Sequence, residues 1–387
     1  MGIAPPTQAG PIVGDGVSHL RIGPLLINVS QPTFDTEVEN EVLAAIRSGQ
    51  LAQGPRVEKL ESMIAGLTNC RYVVAVTSGT AALELALSLL DLQPGDEVLT
   101  TPFTFGATVN AIIHSGATAT FVDVDLDGLM DIELIPQGIS DRTRAIVPVH
   151  LYGQPVDLRS VALPPNLTVV EDAAQALGAR IAGIPVGGLG IGCFSFYATK
   201  NVTTGEGGAI STNIPEIAER ARIFRNQGMV DRYEYVVPGR NLRMTDLQAA
   251  LGIPQMSRIS DIQRIRSHNA NRLIKGLSGI PGLRLPSSGP KKTHVWHQFT
   301  VRVTNEAFVG RDTLKSQLGS RGIGTGIYYP RPLTDYPCFR EHPQVRVGDL
   351  PNSRLLSSQV LSLPVHHGLV DADIDKIVTE VRHALSA

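Results

Sequence analysis

Cysteine is scarce in this sequence: Cys70, Cys193 and Cys338 are the three among 387 residues. They stand too far apart for a CxxC metal or redox motif, and an odd number cannot all pair. A disulfide scaffold is therefore excluded and a reducing compartment, the cytoplasm, is expected. Long hydrophobic runs are also missing, since none approaches the roughly 18–20 residues of a membrane-spanning helix. Residues 1–16 are rich in Pro and Gly and lack the basic segment and apolar core of a secretory signal. Neither sign of charge is in excess: 34 basic against 36 acidic residues leave a formal net charge of −2. That balance removes any general attraction to nucleic acid or an anionic membrane surface, and a small soluble ligand is the default.

Several catalytic signatures are absent as well. There is no G-x-x-x-x-G-K-[ST], H-E-x-x-H or G-x-S-x-G. Gly187-Gly188-Leu189-Gly190-Ile191-Gly192 does not fit G-x-G-x-x-G, and it precedes an apolar strand where the dinucleotide fingerprint follows one. It reads as a turn. His366-His367 lacks acidic or thiol neighbours at ligand spacing and His114 ends a helical pattern, so loop or capping roles are expected and no metal site.

What is present is enough apolar material, 42% of residues, for more than one core, and the chain exceeds the usual size of a single one. Residues up to about Leu25 read as a flexible arm. Val38, Val42, Leu43 and Ile46 recur at helical spacing within 32–48, and Val57, Leu60, Met63 and Ile64 within 54–67. Strand-length apolar runs at 72–76, 97–100, 120–123, 145–149 and 167–170 then alternate with helical patterns at 80–90, 107–115 and 132–139. Such alternation is the signature of βαβ units on a parallel sheet. Runs at 193–197 and 208–211 read as strands joined by a short glycine turn, which makes part of the sheet antiparallel. After Pro215 the pattern is helical through Ile223 and again from Thr245 to Leu277, where Pro254 is expected to kink or break it. Pro281-Gly282 marks a domain break. Beyond it, a strand at 295–303, a helix at 313–320, a strand ending at Tyr328-Tyr329-Pro330 and an amphipathic helix at 373–385 make a small α+β domain.

Three stretches carry chemistry. Thr77-Ser78-Gly79-Thr80 joins a strand to a helix; it is either an ordinary Ser/Thr cap or an anion site built from free N–H groups and the helix dipole. Asp172 ends the run Val169-Val170-Glu171. It could cap a following turn, or it could face a ring nitrogen and keep it protonated, which turns the ring into an electron sink. Lys200 follows an apolar strand and precedes Thr203-Thr204-Gly205-Glu206-Gly207-Gly208, whose glycines allow close backbone approach. A desolvated lysine there can be nucleophilic at neutral pH, and the pair frames a carbonyl cofactor held by a Schiff base.

In combination the motifs resemble the sugar aminotransferases of the DegT/DnrJ/EryC1/StrS group. The matching pieces are Ser48-Gly49-Gln50-Leu51-Ala52-Gln53-Gly54-Pro55, Thr77 to Leu83, Pro102-Phe103-Thr104-Phe105-Gly106-Ala107-Thr108, Val149-His150-Leu151-Tyr152-Gly153 and Glu171-Asp172-Ala173-Ala174-Gln175. They continue through Ser195-Phe196-Tyr197-Ala198-Thr199-Lys200, Gly205-Glu206-Gly207-Gly208, Arg225-Asn226-Gln227-Gly228 and Gly239-Arg240-Asn241-Leu242-Arg243-Met244. The similarity runs from about Val29 to the C-terminus in the family's order.

This resemblance implies a fold type I pyridoxal 5'-phosphate enzyme: an α/β fold with a mixed, mostly parallel central sheet flanked by helices, plus a smaller C-terminal α+β domain. The implied division is an arm over 1–25, a large cofactor-binding domain over 26–255 and a small domain over 256–387. Lys200 matches the lysine that bonds the cofactor's aldehyde and then moves a proton. Asp172 matches the acid on the pyridine nitrogen, Gln175 the amide beside the ring hydroxyl, and Phe105 the stacking aromatic. Gly79, Thr80 and Ser195 match the phosphate cup, and Asn241 a residue reaching the phosphate from the neighbouring subunit of a homodimer with shared sites. The implied reaction is ping-pong transfer of an amino group, with pyridoxamine 5'-phosphate as the intermediate form. It passes from an amino acid, L-glutamate by resemblance, to the keto group of a dTDP- or UDP-linked deoxysugar. A keto-cyclitol acceptor, or a non-catalytic regulator on the same fold, are the alternatives. Tyr197 and Thr334 stand where relatives commonly have histidine, and both departures bear on the sugar.

Overall fold

The computed structural model describes residues 26–289 and 291–386; the arm expected over 1–25 lies outside them. Helix α1 (Thr36–Ser48) starts on Asp35, whose carboxylate accepts from Val38 N–H, and ends on Gly49 in the left-handed region. Helix α2 (Pro55–Thr68) starts on a proline, whose missing N–H costs nothing at that position. Strand β1 (Tyr72–Val76), helix α3 (Gly79–Ser88), strand β2 (Glu97–Thr100), helix α4 (Gly106–His114) and strands β3 (Thr118–Phe121), β4 (Thr143–Ile146) and β5 (Thr168–Asp172) follow.

These strands belong to one eight-stranded sheet. In spatial order it runs β1, Gly208–Thr212, Ile191–Ser195, β5, β4, β2, β3 and Val345–Arg346. Gly208–Thr212 is antiparallel to both its neighbours, and every other pairing is parallel. The strands are short and buried along most of their length because helices cover both faces. On one face, Leu85 of α3 and Val109 and Ile112 of α4 pack against Val74, Ala145 and Val170. On the other, Leu60 and Ile64 of α2 meet Phe194, Phe196, Met244 and Met256. A separate cluster gathers Leu273, Phe299, Leu314, Leu361, Ile377 and Val381 with Ile27. It is built on the three-stranded antiparallel sheet Leu283–Arg284, Phe299–Val303 and Val360–Leu363.

Some elements differ from expectation for local reasons. Pro254 does not break its helix: Asp246–Ser257 runs through it, and the break falls at Arg258, before Ile259–Leu277 begins. The strand expected over 295–303 is regular only from Phe299, because Trp296 adopts φ +49°. No strand leads to Tyr328-Tyr329-Pro330; a single bridge joins Gly326 to Ser362. The helix expected over 132–139 shrinks to Ile135–Gly138. Strands Ile191–Ser195 and Gly208–Thr212 are joined by the long loop 196–207, not by a short turn.

A buried ion pair fastens the β1 side of the sheet. Arg225 Nη1, at the end of helix Pro215–Arg225, donates to Glu61 Oε1 of α2 at 2.7 Å and to the Ala75 carbonyl at 2.8 Å. The same Glu61 oxygen accepts from Ala75 N–H at 2.8 Å. Side-chain exposures are 5% for Arg225 and 14% for Glu61, so removing the acid strands a cation in low dielectric. Glu61→Ala should cost about 3–5 kcal/mol, read as a lowered urea-unfolding midpoint, whereas an unchanged midpoint would show that water replaces the carboxylate.

Candidate functional site

The parallel strands and β1 point their carboxyl ends to one rim, where open α/β sheets bind ligands. There a cavity of about 470 Å³ collects residues from five strand ends and from the C-terminal third of the chain. Gly79, Thr80, Phe105, Asp172, Gln175, Ser195 and Lys200 all line it. Asn241 does not; it is exposed on the segment that bridges to Asn226.

Asp172 is the last residue of β5 and is 5% exposed. Its backbone is gripped from both sides, N–H to the Pro148 carbonyl and C=O from His150 N–H. Its Oδ2 accepts from the Thr108 hydroxyl of α4 at 2.7 Å, and its Oδ1 from Ala174 N–H at 3.2 Å. Burial raises the carboxyl's pKa, opposed by Thr108, Ala174 and the charge of Lys200. A cap-like bond to Ala174 is thus present without any helix after it. The preceding Glu171 turns to the other side, where it pairs with His150 Nε2 at 3.0 Å and accepts from Leu189 N–H. Burial opposes its charge, yet the His150 hydrogen bond and charge hold its carboxyl below the usual range.

Lys200 sits in the loop 196–207, which the protein pins heavily. Thr204 N–H and the Thr203 hydroxyl both bond the Phe196 carbonyl, and Gln255 brackets Thr203 through its N–H and C=O. Gly205, at φ +79°, turns the chain back where a side chain would be strained. Burial lowers the Lys200 amine from 10.5 to about 8, against the opposing pull of Asp172. An amine so placed is partly unprotonated near neutral pH and can attack a carbonyl.

At the start of α3, the Ser78 hydroxyl accepts from Ala81 N–H at 3.0 Å. The first N–H groups of a helix have no acceptor within it, and here they open on the cavity beside Thr80 and Ser195. The approach is close: a Cβ on Gly79 would lie 2.6 Å from Ser195 Cβ, and one on Gly208 would lie 2.2 Å from the Ser78 carbonyl oxygen. The capped start of α3 thus lies at the cavity wall, where Ser78, Gly79 and Thr80 all line it.

Gln175 is oriented by its neighbours. Its Oε1 accepts from Tyr152 N–H at 2.7 Å, which turns Nε2 toward the cavity and the Tyr329 hydroxyl 3.4 Å away. Phe105, 64% exposed, presents its ring to the cavity with Tyr329 beside it at 6.5 Å between centroids. Of the two departures from the family pattern, Tyr197 lines the cavity and Thr334 does not, being fully buried elsewhere. Thr108, His297, Gln298, Tyr328 and Tyr329 also belong to the site and had been given no role. Thr108 lies in the motif Pro102 to Thr108; the others lie in stretches expected as strands, which the structure bends instead.

The remaining candidates fall outside. His366 Nε2 meets the Asn28 carbonyl and His367 Nε2 the Thr33 hydroxyl, so both act as loop anchors. His114 ends α4 beside Glu84. Cys70 and Cys193 are buried and Cys338 is exposed, all unpaired. No helix of the described residues is long and apolar enough to cross a membrane.

A family model, the DegT/DnrJ/EryC1/StrS aminotransferase family, matches residues 32–382. The dTDP-3-amino-3,4,6-trideoxy-alpha-D-glucose transaminase of Streptomyces venezuelae is 38% identical over 94% of this chain and 96% of that protein. Among solved structures, S. venezuelae DesV in complex with a ketimine intermediate superposes with a TM-score of 0.85 at 38% identity. That match covers 91% of this chain and 95% of DesV. The sugar aminotransferase described as putative, Spr1654 of Streptococcus pneumoniae, in its PMP form, superposes at 0.86 with 28% identity, covering 93% and 97%. The same protein is known in a PLP form.

The environment of Lys200 has a measurable signature. Competitive acylation of the cofactor-free protein, quantified by peptide mass spectrometry, should modify Lys200 faster as pH rises, with a midpoint near 8. A midpoint at the ordinary 10.5 would mean that the amine stands in water.

Proposed function

The chain belongs to the DegT/DnrJ/EryC1/StrS aminotransferase family, and on that premise we propose that it aminates the keto group of a nucleoside-diphosphate-linked deoxysugar at the expense of an amino acid, L-glutamate. It is a pyridoxal phosphate-dependent enzyme, as its relatives are. The observation that carries the proposal is the meeting, in one cavity, of a buried carboxylate, a lysine of depressed basicity and a helix N-terminus.

The residues fit that cofactor. Asp172 is a buried acid met only by neutral donors, so a protonated ring nitrogen would complete its surroundings. Gly79, Thr80 and Ser195 line the cavity at the start of α3, and the N–H groups and hydroxyls there suit a phosphate. Phe105 would cover one face of the ring, and Gln175 Nε2 would donate to the ring oxygen. Bound in this way, the cofactor supplies an electron sink that accepts the amino group from one substrate and returns it to the next.

The protein's part is orientation, charge and proton movement. Asp172 would keep a proton on the ring nitrogen, a role the Thr108 hydroxyl would support by fixing Oδ2. Lys200 Nζ would hold the cofactor's aldehyde at rest, and as the free amine it would be the group placed to carry a proton between the donor's α-carbon and the cofactor. The keto sugar follows the same path in the opposite sense, so kinetics should be ping-pong.

We also read the functional unit as a homodimer. Leu43 and Ile46 of α1 are 43% and 53% exposed, and the hairpin around 229–237 leaves Tyr233 69% and Tyr235 61% exposed. Apolar surface of this kind suits a partner, and Asn241, which misses its own cavity, lies just beyond that hairpin.

Two experiments test the reading. Lys200→Ala should abolish amino transfer, and Asp172→Asn should lower kcat/KM about 10²–10³-fold, measured with glutamate and a panel of keto-sugar nucleotides; near-normal turnover in either would refute the assigned role. Mixing inactive Lys200→Ala and Asn241→Ala proteins should restore about a quarter of the sites, since random pairing makes half of the dimers mixed and each mixed dimer has one intact site. A mixture that stays inactive would mean that Asn241 does not act across subunits.

A further inference from the structure

His297 shares the cavity with Lys200, and its surroundings fix which ring nitrogen carries a proton. Asn201, next to Lys200 in the chain, donates from Nδ2 to the Val295 carbonyl at 2.9 Å. That bond settles the orientation of the Asn201 amide, so the oxygen facing His297 Nδ1 at 3.3 Å can only accept. His297 Nδ1 must therefore be the N–H. Nε2, on the far edge of the ring, has no hydrogen-bond partner among the described residues, while the side chain borders the cavity.

The backbone holding the ring is equally constrained. Arg266, 3% exposed and without an acidic partner among the described residues, donates from Nη1 to the Trp296 carbonyl at 2.8 Å and the His297 carbonyl at 3.4 Å. Val295 N–H and Gln298 N–H bond the carbonyls of Gly153 and Tyr152 in the segment beside it. Trp296, at φ +49°, makes the bend that turns His297 inward.

We propose that His297 is a positioning residue for Lys200: a neutral imidazole locked as the Nδ1–H tautomer, whose Nε2 lone pair accepts a hydrogen bond from the Lys200 ammonium. The proposal rests on the reading of Lys200 as the reacting amine. It gives that amine a fixed resting direction in the interval when it is free of the cofactor and carries the proton. The groups facing the pair are Asp172, Glu206 and Tyr329 around the cavity, Arg266 behind the His297 carbonyl and His294 on the same segment. Burial, then Lys200, Arg266 and His294, push the imidazole's basicity well down, so it stays an acceptor and does not become a competing cation.

An acceptor that bonds the charged form favours it. In the cofactor-free protein, His297→Leu should therefore move the Lys200 acylation midpoint down by about one pH unit, the size expected for one hydrogen bond to a charged group. His297→Gln places an amide oxygen near the Nε2 position and should keep the midpoint close to that of the parent. An unchanged midpoint in the leucine variant overturns the proposal, and so does an equal drop in both variants, which would mark a packing effect. Should the leucine variant fail to fold, the parent protein labelled with [15N]histidine decides the matter. The His297 ring signals, assigned by their loss in His297→Gln, should show a protonated Nδ1 and a bare Nε2, and the reverse pattern or a doubly protonated ring overturns it. None of these measurements needs amino transfer, so they stand or fall separately from the Lys200→Ala activity test.

Discussion

A carboxylate taken out of water must be answered by its surroundings, and the end of β5 is arranged to answer Asp172. The cost of isolating such a charge is several kcal/mol, yet what the protein offers is one hydroxyl, one backbone N–H and the field of a lysine across the cavity. Each comes from a different element: α4 brings Thr108, the turn after β5 brings Ala174, and the loop 196–207 brings Lys200. Moving any of these elements leaves the acid exposed to an environment that raises its pKa further, so the acid organises the rim as much as the rim positions the acid.

The walls of the cavity follow from that arrangement. Parallel strands deliver Ser78, Asp172 and Ser195 to one level because their carboxyl ends align, and glycine at 79 and 208 lets the β1 turn approach the neighbouring strands. The opposite wall is irregular. Tyr152, at φ +60°, and Trp296, at φ +49°, are bent where the two segments run against each other, which brings Gln298 and His297 to the same space as Gln175. Backbone groups of these bends bond one another and Arg266, although Gln298 Oε1 and Arg266 Nε are left without a partner among the described residues.

Much of this was legible in the sequence. The alternation of apolar runs predicted the parallel strands, and the acid at the end of one run and the lysine after another were found by their position in that pattern. What escaped was whatever regular periodicity does not encode. Tyr329, His297 and Gln298 lie in stretches that read as strands; the bends that turn them to the cavity depend on long-range backbone bonds, such as Val295 to Gly153, that leave no local mark. Pro254 was misread for a related reason: the rule that proline breaks helices is local, whereas the segment is buried between α2 and the sheet by packing that outweighs one lost backbone bond. The edge strand Val345–Arg346, a mere two residues, was too short to register as a run.

Among the described residues lining the cavity, Lys200 is the sole cation, and in the proposed reaction its amine is taken up by the carbon chemistry. A phosphate bound at Gly79, Thr80 and Ser195 would therefore be held by dipoles, namely free N–H groups, hydroxyls and the axis of α3, with no arginine or second lysine among the described residues that line the cavity. Dissolved ions weaken attraction between exposed charges over about 8–10 Å, but do little to hydrogen bonds in a part-buried turn. Retention of the cofactor by this cup would accordingly be almost indifferent to ionic strength, a property that an arginine-clamped phosphate does not share.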